Sequence, residues 1–229
     1  MQNFYRLLKS HHAGNVFNPW TDRSAPDDRG ANGPQARCRR LEAHLSIQPA
    51  RVLIGEASGY QGCRISGIPF TSERLILEGA IPRVAGPGAR LSRRHIPWSE
   101  PSATVVWSTL HALGIADSTV LWNAFPWHPY LAGKPHSNRT PNRQECVQGL
   151  PVLRALLEAF PYARVFAVGR HAERALRELG CEACTLRHPS MGGATRFYQG
   201  LRTALVAESR GARGSRRGQR PVPSRPARP

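Results

Sequence analysis

Four short groups of residues in this chain combine an acid, an aromatic ring, an amide and an imidazole with small neighbours. The first group is Gly-Glu-Ala-Ser-Gly at residues 55–59, in which Glu56 is the acid. A carboxylate among small residues can position a water molecule, and glycines leave peptide N–H groups open to an anion. The alternative is a plain strand-to-loop turn with a solvated Glu56.

The second and third groups offer ways to hold a planar ring. Phe70, in Gly-Ile-Pro-Phe at residues 67–70, can stack on a flat ligand or pack in the core. Asn123 ends an apolar run, and its carboxamide carries both a donor and an acceptor, as reading a base edge requires. The alternative is that Asn123 bonds its own loop. Trp127 and His128 follow, and either contact nucleic acid or pack inside.

The fourth group is His-Pro-Ser-Met-Gly-Gly at residues 188–193. His188 can donate a hydrogen bond to a developing negative charge, or it can be a structural histidine. Gly192 and Gly193 allow the backbone to approach phosphates closely. Met191 is an apolar side chain at an expected exposed tip, which suits insertion into a base stack.

Secondary-structure patterns place these groups at the ends of strands. Apolar runs predict strands at 51–54, 119–122, 164–168 and 184–187. Helical patterns predict helices at 35–45, 103–113, 142–160, 171–179 and 197–207, the third with a capping box. This alternation predicts an α/β fold, a three-layer α/β/α arrangement with a central, mainly parallel four-stranded sheet.

Ligands of parallel sheets bind at the carboxyl ends of the strands. The residues that follow the predicted strands are Glu56, Asn123, Arg170, His171 and His188. Two long segments without periodicity, Glu78–Pro101 and Phe125–Pro141, are expected near the same ends. Long loops in a compact domain are usually functional or disordered.

Composition divides the chain at residue 208. We predict a single domain over residues 1–208, with its core at 51–205, and a disordered tail over residues 209–229. The tail has seven arginines, four prolines, three glycines and no acid, so it cannot bury enough apolar surface to fold. The net charge of the chain is +17, which favours a polyanionic partner such as nucleic acid. A codon bias towards arginine is the alternative explanation.

Several classes of protein are disfavoured. No apolar run approaches the length of a membrane span, and residues 1–10 lack the pattern of a secretory signal. Five scattered cysteines argue against a disulfide scaffold. We therefore expect a cytoplasmic protein that does not bind membranes, and we expect it to be a monomer.

In this order and spacing, the four groups resemble the uracil-DNA glycosylase superfamily, most closely the branch whose first motif is Gly-Glu-Ala-Pro-Gly. The resemblance covers Arg51–Leu205. It implies an enzyme that binds single- or double-stranded DNA, flips a uracil out and cleaves its N-glycosidic bond with water, leaving an abasic site. A base inside a duplex is unreachable, so flipping is required.

The resemblance also implies a role for each residue. Glu56 positions the water and His188 stabilises negative charge on O2 of the departing base. Phe70 stacks on the extruded base, and Asn123 reads its pyrimidine edge. The implied DNA-binding loop residues are Ser58, Gly59, Ser190, Met191, Gly192 and Gly193.

The sequence departs from these relatives at two places. Ser58 stands where they have proline, which we expect to loosen the loop. They usually hold an iron–sulfur cluster on four cysteines, whereas only Cys38 precedes the first strand here and Pro126-Trp127 occupies the place of the ligand after Asn123. A cluster needs four correctly placed thiolates, so we predict no metal and no cofactor.

Three alternatives remain open. The same fold could excise another deaminated base, such as hypoxanthine or xanthine, because an amide can read more than one edge. The chain could bind uracil-containing DNA without catalysis, although the presence of Glu56 and His188 argues against this. It could also be a small-molecule hydrolase, against which the basic tail and Met191 argue.

Overall fold

A computed structural model describes residues 1–24, 27–30, 32–86 and 88–217, with side chains up to residue 208. The strands are β1 (Val16–Phe17), β2 (Arg51–Ala57), β3 (Thr119–Phe125), β4 (His128–Pro129), β5 (Arg164–Val168) and β6 (Cys184–Leu186). The helices are α1 (Gln2–Lys9), α2 (Pro34–His44), α3 (Cys63–Ser66), α4 (Glu73–Leu77), α5 (Pro101–Ala112), α6 (Arg143–Ala159), α7 (Arg170–Glu178) and α8 (Ala194–Arg217). A 3-10 turn at Ala116–Ser118 precedes β3.

The central sheet has four strands in the order β3-β2-β5-β6, and every neighbouring pair is parallel. Helices separate the strands along the chain, as parallel neighbours require. The predicted fold class is therefore confirmed. The small antiparallel pair of β1 and β4 lies outside this sheet and was not predicted.

The two faces of the sheet pack against different helices because side chains alternate along a strand. Val52 and Ile54 of β2 point into a core that includes side chains of α1, α6 and α7. Leu53, between them, points into a second core, with side chains of α5 and α8. The sheet is thus the middle of three layers.

The predicted elements agree closely with the observed ones in the centre of the chain. The capping box of α6 is present: the Asn142 side chain accepts from the Glu145 N–H at 2.9 Å, and the Glu145 carboxylate accepts from the Asn142 N–H at 2.8 Å. Helices α1 and α3 were not predicted. Phe4 and Leu8 of α1 are fully buried in the first core, so this amphipathic helix packs on the sheet domain.

The last helix differs from its prediction. It extends to Arg217 instead of ending near residue 207, so residues 209–217 of the predicted disordered tail are helical. Arginine and alanine favour a helix that is already nucleated by a packed preceding segment. Residues 218–229 of the predicted tail lie outside the described residues. In the part of the chain that is described, no helix has the length and apolarity that crossing a membrane requires.

Candidate functional site

Parallel pairing of β2 with β3 brings the first and third groups side by side. Gly55 pairs with Asn123 across the two strands, at the carboxyl ends where ligands of such sheets bind. A cavity of about 300 Å³ opens there. Its lining residues are Glu56, Ala57, Ser58, Gly59, Phe70, Glu100, Ser102, Asn123, Asn138, Arg139, Thr140 and His188. We call this cavity the base pocket, after the base-binding role predicted for Phe70 and Asn123. It brings together the four predicted residues Glu56, Phe70, Asn123 and His188.

Gly55 lets an aromatic ring approach the amide. A Cβ at this position would overlap the Phe70 ring and lie 2.7 Å from the Asn123 carboxamide. Phe70 has a positive φ of 51°, a conformation that costs a residue with a Cβ. The missing side chain of Gly55 therefore makes room for Phe70 beside Asn123. Only 7% of Phe70 is exposed, so it serves both the core and the pocket wall.

The Asn123 amide is held by the loop after β2. In the amide orientation that satisfies both groups, Oδ1 accepts from the Ser58 N–H at 3.2 Å and Nδ2 donates to the Trp122 carbonyl at 3.2 Å. The Ser58 hydroxyl donates to the Pro126 carbonyl, which ties the loops after β2 and β3 together. The expected loosening by Ser58 is thus offset by a bond that proline cannot make.

His188 is held as a neutral imidazole with a free donor. Its Nδ1 lies 3.1 Å from the Ser190 backbone N–H, which can only donate, and 2.7 Å from the Ser190 hydroxyl. Nδ1 is therefore an acceptor, and in the neutral ring the proton sits on Nε2. Burial, followed by the charge of Arg187, lowers the pKa of His188 below its usual value. A neutral ring can donate from Nε2 to a developing oxyanion.

Glu56 lies between two cavities. Besides the base pocket, it lines a neighbouring cavity of about 540 Å³ formed at the ends of β5 and β6. His171, in the first turn of α7, approaches it there, with Nε2 3.9 Å from Glu56 Oε2. The carboxylate therefore faces solvent-accessible space on the side of α7, from which a water molecule can enter.

The segment after β6 forms an exposed tip. Met191 is 92% exposed and has a positive φ of 52°, and Gly192 follows with a φ of 71°. Gly193 lies so close to the His188 carbonyl that a Cβ there would overlap it. The predicted glycines thus let the chain turn tightly and present an apolar side chain beside His188. Contact of this tip with DNA stays a prediction.

The other predicted loop residues lie deeper. Ser58 is 3% exposed, and its polar atoms bond Pro126 and Asn123. Gly59 lines the base pocket with ordinary space around it. Their predicted contact with DNA also stays a prediction, and the observed position of Ser58 is internal.

Two candidate contacts for nucleic acid are internal instead. Trp127 is 2% exposed, stacks on His11 and donates from Nε1 to the Leu8 carbonyl. His128 is fully buried between Arg64 and the Ser137 carbonyl. Both support the loop that follows β3.

Several pocket residues were missed by sequence reasoning. They come from the two long segments without periodicity and from the start of α5: Glu100, Ser102, Asn138, Arg139 and Thr140. The segments themselves were singled out, but nothing in their sequence indicates which side chains turn inward. Asn138 Oδ1 accepts from the Tyr60 N–H at 3.0 Å, a contact between positions 78 residues apart.

The cysteines do not fit an iron–sulfur cluster. Cys38 and Cys63 are buried in α2 and α3, Cys146 lies in α6, and Cys181 and Cys184 lie before and in β6. Across the described residues, no three histidine, cysteine or acidic side chains group as metal ligands would. Four converging thiolates are needed, and this arrangement does not provide them.

Comparison with known proteins agrees with the geometry. The structure is similar to the crystal structure of wild-type SMUG2 from Pedobacter heparinus, with a TM-score of 0.60 and 16% sequence identity, covering 91% of this chain and 97% of that one. No curated protein matches the sequence. Residues 84–208 match the family described as the uracil DNA glycosylase superfamily; this region contains Asn123 and His188. The chain therefore belongs to the uracil DNA glycosylase superfamily of DNA repair glycosylases.

Proposed function

We propose that this protein excises uracil from DNA by hydrolysing the N-glycosidic bond, and that it leaves an abasic site without cutting the strand. The observation that carries the proposal is the convergence of Glu56, Phe70, Asn123 and His188 on one pocket at the carboxyl edge of the sheet. Each is a group that recognition or hydrolysis of a flipped base requires.

Recognition begins with extrusion of the base. Unstacking costs a few kcal/mol and is least for a poorly paired base such as uracil opposite guanine. The exposed Met191 is placed to fill the gap that the base leaves. Phe70 then offers a face for stacking, and Asn123 offers an amide to the pyrimidine edge.

Bond cleavage separates charge. As the bond between C1′ of the sugar and N1 of uracil breaks, its electron pair stays with the base and negative charge develops on O2. The Nε2–H of neutral His188 donates to that oxygen. The sugar gains oxocarbenium character, and the Glu56 carboxylate stabilises it electrostatically.

Water completes the reaction. Its oxygen forms the new bond to C1′, and Glu56 accepts one of its protons, which later passes to solvent. The uracil anion takes up a proton from solvent when it leaves. The products are free uracil and an abasic deoxyribose, so atoms and charge balance.

Affinity for DNA comes from the basic surface. The net charge of +17 supports backbone contacts that do not depend on sequence. We expect a monomer to suffice, because the described residues of one chain supply all four groups in the base pocket.

The test is excision from a panel of end-labelled oligonucleotides. Each oligonucleotide carries one target base, which is uracil, hypoxanthine, xanthine or cytosine. It is used as a single strand and as a duplex in which the target base lies opposite guanine or adenine. Excess enzyme is added, and abasic sites are cleaved with alkali. We expect cleavage at uracil, faster opposite guanine than opposite adenine, and none before alkali treatment.

Each other outcome has a definite meaning. Cleavage at hypoxanthine or xanthine without cleavage at uracil would show that the substrate is another deaminated base. Tight binding to uracil-containing DNA without cleavage of any target would contradict catalysis. Strand cutting without alkali would contradict a monofunctional reaction.

A further inference from the structure

Glu100 places a second carboxyl group in the base pocket. It lies at the start of α5, and its carboxyl makes no hydrogen bond to the N–H groups of its own helix. Instead Oε2 rests against Gly62, where an added Cβ would overlap it. The side chain is therefore directed away from the helix end, and Glu100 also lines the cavity that holds Phe70 and Asn123.

The surroundings of this carboxyl are poor in compensating charge. The ionisable residues that share the pocket with it are Glu56, Arg139 and His188. Arg139 is held in a two-point ion pair with Glu145, at 2.6 and 2.7 Å, and His188 is neutral. Cys63, beside Gly62, is a buried thiol. Burial accordingly raises the pKa of Glu100 to about 7, while a hydrogen bond with Ser102 lowers it slightly.

We propose that Glu100 is a base-reading residue, which in its acid form donates a hydrogen bond to a carbonyl oxygen of the extruded base. This inference rests on the proposed function and extends it to the choice of base. The pocket then has a donor from Glu100 in addition to the amide of Asn123. It selects a base that carries an oxo group over one that carries an amino group.

The chemistry of deamination explains what such a donor achieves. Cytosine presents an N4 amino group, which is a donor, whereas uracil presents an oxygen acceptor at the same place. An ionised carboxylate would favour cytosine, because Glu and Asp accept hydrogen bonds from its amino group. A protonated carboxyl donates a hydrogen bond to the oxo group of uracil, and it binds cytosine, the undamaged base, less tightly.

The experiment measures binding, so it does not depend on turnover. Oligonucleotides carry 2′-fluoro-2′-deoxyuridine or 2′-fluoro-2′-deoxycytidine, whose glycosidic bonds resist cleavage, opposite a tetrahydrofuran abasic analogue so that neither base is paired. Fluorescence anisotropy gives Kd for each between about pH 6 and about pH 8.5, a range that brackets the pKa of Glu100. The pKa of His188 lies below its usual value, so its titration is displaced towards the acid end of this range.

We expect the wild-type protein to prefer the uracil probe by about tenfold at pH 6, as one well-placed contact to a base edge provides. The preference should fall as pH rises through about 7, because Glu100 then loses the proton that it donates. In Glu100→Gln the preference for the uracil probe should be smaller and independent of pH, because an amide both donates and accepts hydrogen bonds and does not titrate in this range.

A second variant separates reading from mere structural support. Ser102→Ala removes the hydrogen bond that lowers the pKa of Glu100, so the midpoint of the pH effect should move upwards. Folding of each variant is checked by circular dichroism. Equal preference and equal pH dependence in wild type and Glu100→Gln would overturn the inference, as would an unmoved midpoint in Ser102→Ala. If the wild type shows the pH-dependent preference but does not excise uracil, the proposed function fails and the inference stands.

Discussion

His171 Nε2 lies 3.9 Å from Glu56 Oε2, so an imidazole from the first turn of α7 approaches the carboxylate at the end of β2. Both side chains are partly exposed, at 54% and 32%, and a charged pair in such a position contributes about 0.2–1 kcal/mol. We therefore expect His171→Ala to slow single-turnover excision by at most about fivefold. A decrease as large as that of a Glu56 variant would give His171 a direct part in the reaction.

Glu56→Gln should remove most of the activity. Its carboxylate stabilises the developing positive charge and accepts the proton of water, and removal of one such group typically costs about 10²–10³ in rate. Binding to the uracil probe should be nearly unchanged, because the variant keeps the shape of the side chain. Glu178→Gln, an exposed acid on α7, is the matched control and should keep the wild-type rate. Single-turnover rates within about threefold of wild type would exclude Glu56 from the mechanism, given the size of effect expected for such a group.

The acid limb of the rate profile should follow His188. Because burial and Arg187 lower the pKa of His188, the neutral ring predominates at about pH 7, and excision should decline only at a lower pH as the ring gains a proton and its contacts with Ser190 change. Arg187→Gln removes one cause of the lowered pKa, so the acid limb should move to higher pH. An acid limb unaffected by both His188→Ala and Arg187→Gln would make His188 structural.

Gly55→Ala tests the close approach behind the base pocket. Its Cβ would overlap Phe70 and crowd Asn123, so both groups must shift. We expect the free energy of unfolding to fall by about 1–3 kcal/mol, as for other overpacked cores, together with weaker binding of the uracil probe. Gly14→Ala, which has no neighbour within 4 Å, is the control. If Gly55→Ala bound the uracil probe as tightly as the wild type, the close approach of Phe70 to Asn123 would not matter for binding.

Removal of residues 209–229 should affect affinity and not chemistry. The helix that leads into this segment leaves the sheet at its amino end, where Glu208 pairs with Arg51 and Arg164 at 2.6 and 2.8 Å, whereas the base pocket lies at the carboxyl end. If the seven arginines of the segment bind phosphates, the slope of log affinity against log salt should fall by roughly 0.7–0.9 for each arginine–phosphate pair that the truncation removes.

The single-turnover rate of this truncated protein at saturating enzyme should equal that of the full chain. An unchanged salt slope would show that the segment does not bind DNA. A lower saturated rate would move the functional boundary of the domain beyond residue 208.

Local patterns determined the sheet and the position of its active edge. Apolar runs such as Val52–Ile54, each followed by small or polar residues, depend on nearest neighbours alone, and alternation of strands with helices leaves few topologies. Glu56, Asn123 and His188 could therefore be assigned to one edge before any contact was known, since each lies at or just beyond the carboxyl end of a predicted strand. The helical character of residues 209–217 could not be predicted in this way. A segment rich in arginine and glycine gives no local sign that a helix nucleated upstream continues into it.

Only the tertiary structure decided how that edge is built. The closeness of Gly55, Phe70 and Asn123 depends on a strand register and on a residue with positive φ, neither of which a sequence displays. The backbone N–H of Ser190 donates to His188 Nδ1 and so selects the tautomer of His188 with its proton on Nε2. The direction of a backbone N–H is a property of the folded chain. Glu100 enters the pocket from a segment without periodicity, and its proton affinity depends on burial by residues such as Gly62. Such properties arise from contacts between distant parts of the chain, which local propensity does not encode.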